Sequence, residues 1–139
     1  MTVSHEGGCR CGAVRFSANA EPHFTSYCHC EDCRRSTGAP VAAFVGFYRS
    51  EVDWSADATA SYSRPPATRL FCPQCGAPIG YRDDRLPDRI YFYTGAMDEP
   101  ERFAPAQHAY AGEQLPWLAL ADDLPRQQAT TVRRPEEAD

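Results

Sequence analysis

The sequence contains no lysine, and all 14 of its basic side chains are arginines. This absence excludes a catalytic Schiff base on lysine and argues against a P-loop, whose lysine contacts phosphates. The net charge of −5 gives no overall basic footprint for nucleic acid. There is no apolar run long enough to span a membrane, and the first residues lack the pattern of a signal peptide. We therefore expect a cytoplasmic protein with no membrane or nucleic-acid partner.

Seven cysteines stand in three groups along the chain. An odd count in a reducing compartment argues against a disulfide framework, and isolated buried thiols do not explain three groups. All-sulfur ligand sets select zinc or an iron–sulfur cluster. We expect two zinc ions, because a split into four and three ligands matches two tetrahedral sites. The groups are Cys9 and Cys11, then Cys28, Cys30 and Cys33, then Cys72 and Cys75.

The central group lies in segment 28–38 and has the pattern C-x-C-x-x-C. We predict an extended arm bearing Cys28 and Cys30, then a short helix over about 31–37 that ends at Gly38. Cys33 would lie near the positive end of that helix, where a thiol pKa is lowered. Three sulfurs leave one position of a tetrahedral zinc open, so Cys28, Cys30 and Cys33 are the candidate catalytic residues.

The two outer pairs of cysteines make a second site if they combine. Such a closed four-thiolate site would staple the N-terminal strand to a hairpin that is distant in the sequence. A competing partition joins Cys30 and Cys33 to the last pair, as in a zinc ribbon, and spacing alone does not exclude it. The preferred closed site would consist of Cys9, Cys11, Cys72 and Cys75.

Short segments rich in valine, phenylalanine and tyrosine predict many short strands, among them 41–47 and 90–93. Twelve prolines and nine glycines leave little room for long helices. We expect an all-β (β-rich) domain over 1–120, with several short antiparallel sheets and at most short helices. Residues 121–139 have no aromatic side chain and carry mixed charge, so we expect a disordered C-terminal tail.

Four further side chains flank the cysteine groups or have a candidate role. His29 should point away from its two cysteine neighbours on an extended arm, so we predict that it is no ligand. Proton transfer near the open site is a second hypothesis for this side chain. Arg34 or Arg35 is expected to offset negative charge at the open site. His108 is read as a satisfied surface or core histidine.

The sequence from His5 to Leu118 resembles the glutathione-dependent formaldehyde-activating family, which includes centromere protein V-like proteins. Three cysteine motifs in the right order carry the resemblance, together with a few late residues. The motifs are G-G-C-R-C-G-A-V-R-F at 7–16, C-H-C-E-D-C-R-R-S-T-G-A-P at 28–40, F-C-P-Q-C-G-A-P-I at 71–79, and the late Gly95, Pro105, His108 and Pro116-Trp117.

The resemblance implies a Mss-four-like fold of short sheets held by two zinc ions. The four outer cysteines would bind a structural zinc, and the central three would bind a catalytic zinc. The implied activity is that of a carbon–sulfur lyase, which forms S-(hydroxymethyl)glutathione from glutathione and formaldehyde or joins a similar thiol and small electrophile. The alternative is a non-catalytic zinc module that binds glutathione or a protein partner, although a purely structural protein would be expected to offer eight ligands.

Overall fold

Short strands dominate the structure, a computed structural model that describes residues 3–129. Strands account for 38% of the structure and one short α-helix is present in the described part, which confirms the β-rich class with at most short helices. No helix in residues 3–129 has the length and apolar character needed to cross a bilayer. The elements are β1 (His5–Gly8), β2 (Arg15–Ala18), β3 (Phe24–Cys28), α1 (Glu31–Thr37), β4 (Ala42–Tyr48), β5 (Val52–Trp54), β6 (Ala60–Arg64), β7 (Ala67–Phe71), β8 (Pro78–Asp83), β9 (Arg89–Tyr93) and β10 (His108–Ala109).

The strands form two sheets. The smaller sheet has the order β1-β2-β5, and the larger has the order β10-β3-β4-β9-β8-β7-β6. Neighbouring strands are antiparallel with one exception among the described elements, because β10 pairs with β3 in parallel. That pairing brings His108 opposite Tyr27 and places residues after 107 beside the arm that carries Cys28.

The alternation of side chains along β4 and β9 separates two apolar clusters on the two faces of the larger sheet. One cluster contains Val45, Phe47, Ile90 and Phe92, and the smaller sheet packs on it through Phe16. The rings of Phe16 and Phe92 stack with centroids 3.7 Å apart. Truncating one such buried ring to alanine costs about 3–5 kcal/mol, so this face supplies much of the stability.

The second cluster lies on the opposite face and includes part of the candidate site. Phe44, Tyr91 and Tyr93 pack there with the buried side chains of Cys28 and Cys33. These cysteines sit at the end of β3 and inside α1, so the sheet face provides an apolar floor beneath their sulfurs.

Helix α1 has the bounds that the sequence predicted, Glu31–Thr37. Its N-cap is Cys30, whose sulfur accepts a hydrogen bond from the backbone N–H of Cys33 at 3.3 Å. Gly38 ends the helix in the left-handed conformation at φ 73°, which glycine adopts without strain, and its N–H donates to the carbonyl of Arg34. The helix therefore fixes the relative positions of Cys30 and Cys33.

Residues 122–129, which the sequence assigned to a disordered tail, instead run beside β10. The N–H of His108 donates to the carbonyl of Pro125, and the N–H of Gln127 donates back to His108, both at 2.8 Å. Backbone hydrogen bonds to the edge strand, rather than apolar burial, hold this segment, and a composition argument does not detect them. The remainder of the predicted tail, 130–139, lies outside the described residues.

Candidate metal centres and the adjoining cavity

The four outer cysteines meet at one point of the structure. The Sγ atoms of Cys9 and Cys11 are 3.6 Å apart, and those of Cys11 and Cys72 are 3.8 Å apart. All four sulfurs lie within 4.8 Å of one another. Tetrahedral zinc with Zn–S bonds of about 2.3 Å needs sulfurs roughly 3.8 Å apart, so this donor set fits zinc. The last pair of cysteines thus lies with the first pair. The competing partition would instead place the last pair with the central group.

Two tight loops bring these sulfurs close to one another. Cys9 and Cys11 follow β1, and the backbone N–H of Val14 donates to Cys9 Sγ at 3.2 Å. Cys72 and Cys75 lie between β7 and β8, where Gly76 adopts φ 77° and donates its N–H to the carbonyl of Cys72. Burial would raise the pKa of Cys9, but hydrogen bonds from Val14 and the neighbouring thiols outweigh it and lower that pKa to about 6. The loop therefore favours a thiolate, which is the form that binds metal.

The three central cysteines form a second cluster around the start of α1. Cys33 Sγ is 3.3 Å from Cys28 Sγ, and all three sulfurs lie within 4.8 Å of one another. Within residues 3–129, no other cysteine, histidine or carboxylate completes this mutual cluster. A zinc ion held here would have three protein ligands and one position for an exogenous ligand.

The central cysteines also differ in acidity. The pKa of Cys30 is lowered, because the thiols of Cys28 and then Cys33 hydrogen bond to its sulfur. The pKa of Cys28 is raised by its hydrogen bonds with Cys30 and Cys33 and by burial. Cys30, the N-cap of α1, is therefore the thiol of this cluster that most favours its thiolate form.

The guanidinium that contacts this cluster belongs to Arg69 on β7, not to Arg34 or Arg35 as the sequence suggested. Arg69 Nη2 lies 3.6 Å from Cys33 Sγ, whereas Arg35 is an exposed partner of Glu31 and Arg34 does not line the site. The Arg69 side chain is only 14% exposed. Burial alone would lower the pKa of Arg69, but its interactions with Cys33, Tyr93 and Asp32 outweigh this effect and raise it.

Three groups fix the position of Arg69. Its guanidinium pairs with Asp32 of α1, donates to the hydroxyl of Tyr93 at 3.1 Å, and lies 4.8 Å from the ring centre of Tyr81. The sequence did not indicate a role for Arg69, because the alternation of side chains along β7 shows only that Arg69 and Leu70 face opposite sides of the sheet. Its three partners come from three other elements.

A cavity of about 530 Å³ lies beside the central cluster and includes all three of its cysteines in its wall. Its size falls in the range of small-ligand sites, roughly 300–1,000 Å³. Four arginines line it, and three of them pair with carboxylates of the same wall. The fourth, Arg64 at the end of β6, is exposed, and its side chain has no hydrogen-bond or ion-pair partner among residues 3–129. The three pairs are Arg35 with Glu31, Arg69 with Asp32, and Arg85 with Asp83.

Tyr110 closes another part of the cavity wall. It adopts φ 52° and ψ 46°, the left-handed region that a bulky residue rarely occupies. Backbone strain of this kind costs on the order of 1–3 kcal/mol and persists only where its surroundings enforce it. Two backbone hydrogen bonds supply that constraint: the N–H of Tyr110 donates to the carbonyl of Ala129, and the N–H of Ala111 donates to the carbonyl of Gln127.

His29 lies outside the cluster of sulfurs, as the sequence predicted for a side chain between two cysteines of an extended arm. Its ring is fully buried, is not part of the cavity wall, and forms a 2.8 Å hydrogen bond with His108. This placement lends no support to the second hypothesis, in which His29 transfers protons at the open site.

The sequence model of the glutathione-dependent formaldehyde-activating enzyme family matches residues 4–113. This chain belongs to that family. It is similar to a putative glutathione-dependent formaldehyde-activating enzyme of Halomonas elongata, with 31% identity over 111 residues that cover 70% of this chain and 71% of the relative. It is also similar to an uncharacterized lyase of Schizosaccharomyces pombe, with 33% identity over 75 residues that cover 54% of this chain and 55% of the relative.

A Rhodobacter sphaeroides protein of known crystal structure has a fold similar to that of the present chain. The TM-score is 0.57 at 23% identity, and the match covers 75% of this chain and 99% of that one. The family assignment makes the chain a member of an enzyme family and confirms the resemblance seen in its three cysteine motifs.

Proposed function

We propose that this chain is a zinc-dependent carbon–sulfur lyase that joins the thiol of glutathione to formaldehyde, giving S-(hydroxymethyl)glutathione. The reaction would take place at Cys28, Cys30 and Cys33, while Cys9, Cys11, Cys72 and Cys75 would hold a structural zinc. The observation that carries the proposal is the contrast between the two clusters. The four-sulfur set is complete as a ligand sphere, whereas the three-sulfur set is part of the wall of a cavity of substrate size.

Zinc at the three-sulfur cluster would lower the pKa of an incoming thiol and so favour its thiolate. The arrangement needs compensating charge, because three ligand thiolates and a substrate thiolate together exceed the charge of one zinc ion by two. Arg69, held 3.6 Å from Cys33 Sγ, supplies one positive charge at the cluster itself. Its pairing with Asp32 and Tyr93 keeps it in place without a change of conformation, which is the property expected of a preorganised electrostatic group.

The reaction balances without an oxidant or reductant. A bond forms between the glutathione sulfur and the carbonyl carbon of formaldehyde, the C=O π bond breaks, and the thiol proton ends on the resulting hydroxyl oxygen. The cavity would contribute by holding the thiol and the small electrophile together. Glutathione carries two carboxylates, and the unpaired guanidinium of Arg64 in the cavity wall is suited to bind one of them.

The test is the rate of adduct formation above the uncatalysed background, since free thiols add to formaldehyde unaided. We expect zinc-loaded wild-type protein to accelerate the reaction and Cys30→Ser to abolish the acceleration. All seven cysteines belong to the two clusters, so Ser61→Ala on the exposed strand β6 serves as the control substitution. If Cys30→Ser retains the wild-type rate, the catalytic proposal is wrong. Glutathione binding without acceleration would instead favour the non-catalytic binding module.

A further inference from the structure

A chain of hydrogen bonds connects the surface carboxylate of Asp122 to the arm that carries the central cysteines. Asp122 lies within 2.9 Å of His108 Nε2, and His108 Nδ1 lies 2.8 Å from His29 Nε2. Both imidazole rings are fully buried, and the Asp122 side chain is 21% exposed. The two rings are stacked with centroids 5.1 Å apart, and the ring of Tyr27 also stacks on that of His108, with centroids 4.8 Å apart. These residues have no part in the chemistry proposed above.

The partners of His108 fix the direction of this chain. A carboxylate only accepts hydrogen bonds, so the Nε2 atom of His108 carries the hydrogen and donates it to Asp122. The Nδ1 atom of a neutral His108 is then an acceptor, and it accepts from the Nε2–H group of His29. One carboxylate therefore sets the tautomer and the ring orientation of two buried histidines.

The position of His29 connects that chain to the sulfurs. On an extended arm, alternate side chains point to opposite sides, so anchoring His29 on one side turns Cys28 and Cys30 to the other. The backbone of the arm is held as well, because His29 N–H donates to the carbonyl of Ala109 at 3.1 Å. The orientation of Cys28 and Cys30 thus depends on contacts of His29, which does not line the cavity.

Asp122 lies beyond the part of the chain that the family model matches, which ends at residue 113. It is carried by segment 122–129, whose backbone hydrogen bonds with His108, Tyr110 and Ala111 place it along β10. Arg126 adds a hydrogen bond from its Nη1 to Gln114 Oε1 at 2.6 Å. The residue that sets the histidine tautomers is therefore supplied by a segment additional to the matched family region.

We propose that Asp122 is a positioning residue for the three-cysteine metal site, acting through His108 and His29 on the arm that bears Cys28 and Cys30. The inference rests on the proposed function, because it requires a metal ion at that cluster. Groups outside the ligand sphere that orient the ligands change metal affinity or activity by about 10- to 100-fold when they are removed. Within residues 3–129, the four-cysteine site makes no hydrogen bond with Asp122, His108 or His29, so it provides an internal reference.

The experiment measures the zinc affinity of both sites by competition with a chelator in wild-type, Asp122→Ala and Asp122→Glu proteins. Asp123→Ala is the matched control, because Asp123 is the exposed neighbouring carboxylate and no described contact depends on it. We expect Asp122→Ala to weaken zinc binding at the three-cysteine site at least tenfold and to leave the four-cysteine site unchanged, Asp122→Glu to recover part of this loss, and Asp123→Ala to match wild type. Nitrogen-15 NMR of the imidazoles should show the Nε2–H tautomer of His29 and His108 in wild type and its loss in Asp122→Ala.

Several outcomes would overturn this inference. Unchanged affinity at both sites in Asp122→Ala would do so, as would an equal loss at both sites, which is the mark of a general loss of stability. If Asp122→Ala does not fold, Asp122→Asn carries the same prediction at about threefold, since its carbonyl still accepts from His108 but carries no charge. A wild-type chain that binds only one zinc would refute the proposed function itself, so the two failures are distinguishable.

Discussion

Replacing Arg69 with methionine tests whether the buried guanidinium stabilises a thiolate at the three-cysteine cluster. Methionine retains much of the packing against Tyr81 but removes the charge and the donor that lies 3.6 Å from Cys33 Sγ. Hydrogen bonds to charged groups contribute about 1.5–3 kcal/mol, and this one is well shielded because the Arg69 side chain is 14% exposed. That free energy corresponds to roughly 10- to 150-fold in an equilibrium constant.

We therefore expect zinc-loaded Arg69→Met to bind glutathione roughly 10- to 150-fold more weakly than wild type in isothermal titration calorimetry. Arg69→Lys should recover part of the loss, because it restores a charge but not the fork of donors shared among Asp32, Tyr93 and Cys33. Asp32→Asn removes the charge of the half-exposed carboxylate but keeps an acceptor for Arg69, so it should change the affinity by less than about fivefold. If Arg69→Met keeps two zinc ions and binds glutathione with wild-type affinity, the assigned electrostatic role of Arg69 is refuted.

Three further predictions concern other parts of the molecule. Cys75→Ser should lose one zinc ion and lower the melting temperature by about 10 °C or more, as measured by circular dichroism, because a structural zinc site contributes directly to folding; an unchanged transition would contradict a structural role. Arg64→Gln should raise KM for glutathione about fivefold and leave the rate with 2-mercaptoethanol, which has no carboxylate, unchanged; equal effects on both thiols would refute a carboxylate contact. Burial, and then the charge of Arg89, lower the pKa of His23, so the stability that neutral His23 contributes is complete above about pH 6.5 and is lost as the pH falls through its folded-state pKa. Between pH 7.5 and pH 5.5, the melting temperature of His23→Phe should therefore fall less than that of wild type. Equal decreases in the two proteins would show that His23 does not contribute to the pH dependence of stability.

Local patterns were sufficient to predict several features of this protein. The bounds of α1 follow from two acidic residues, a C-x-x-C spacing and Gly38, all of which act within one or two turns of the chain. The pairing of the outer cysteines was preferred for a different reason, because that partition uses all seven cysteines and keeps the open site within one group. The pairing joins residues as far apart in the sequence as Cys11 and Cys72, whose sulfurs lie 3.8 Å apart in the structure.

The groups that surround the open cluster depend instead on contacts that are distant in the sequence. Arg69 reaches Cys33 because β7 lies across from α1, and Tyr110 takes its left-handed conformation because segment 122–129 holds it. Asp122 lies in a stretch whose composition indicates disorder, yet it accepts a hydrogen bond from a fully buried histidine. No local pattern encodes these contacts, because they arise from strand order and from the parallel pairing of β10 with β3.

Native mass spectrometry of the purified chain with excess glutathione tests most directly whether the three-cysteine cluster is an open zinc site that accepts a thiol. We expect two zinc ions and one glutathione on the wild-type chain. In Cys30→Ser we expect the glutathione to be lost while the zinc of the four-cysteine site is retained. Two zinc ions with no bound glutathione, or glutathione binding that is unchanged in Cys30→Ser, would show that the three-cysteine cluster is not an open zinc site that accepts a thiol.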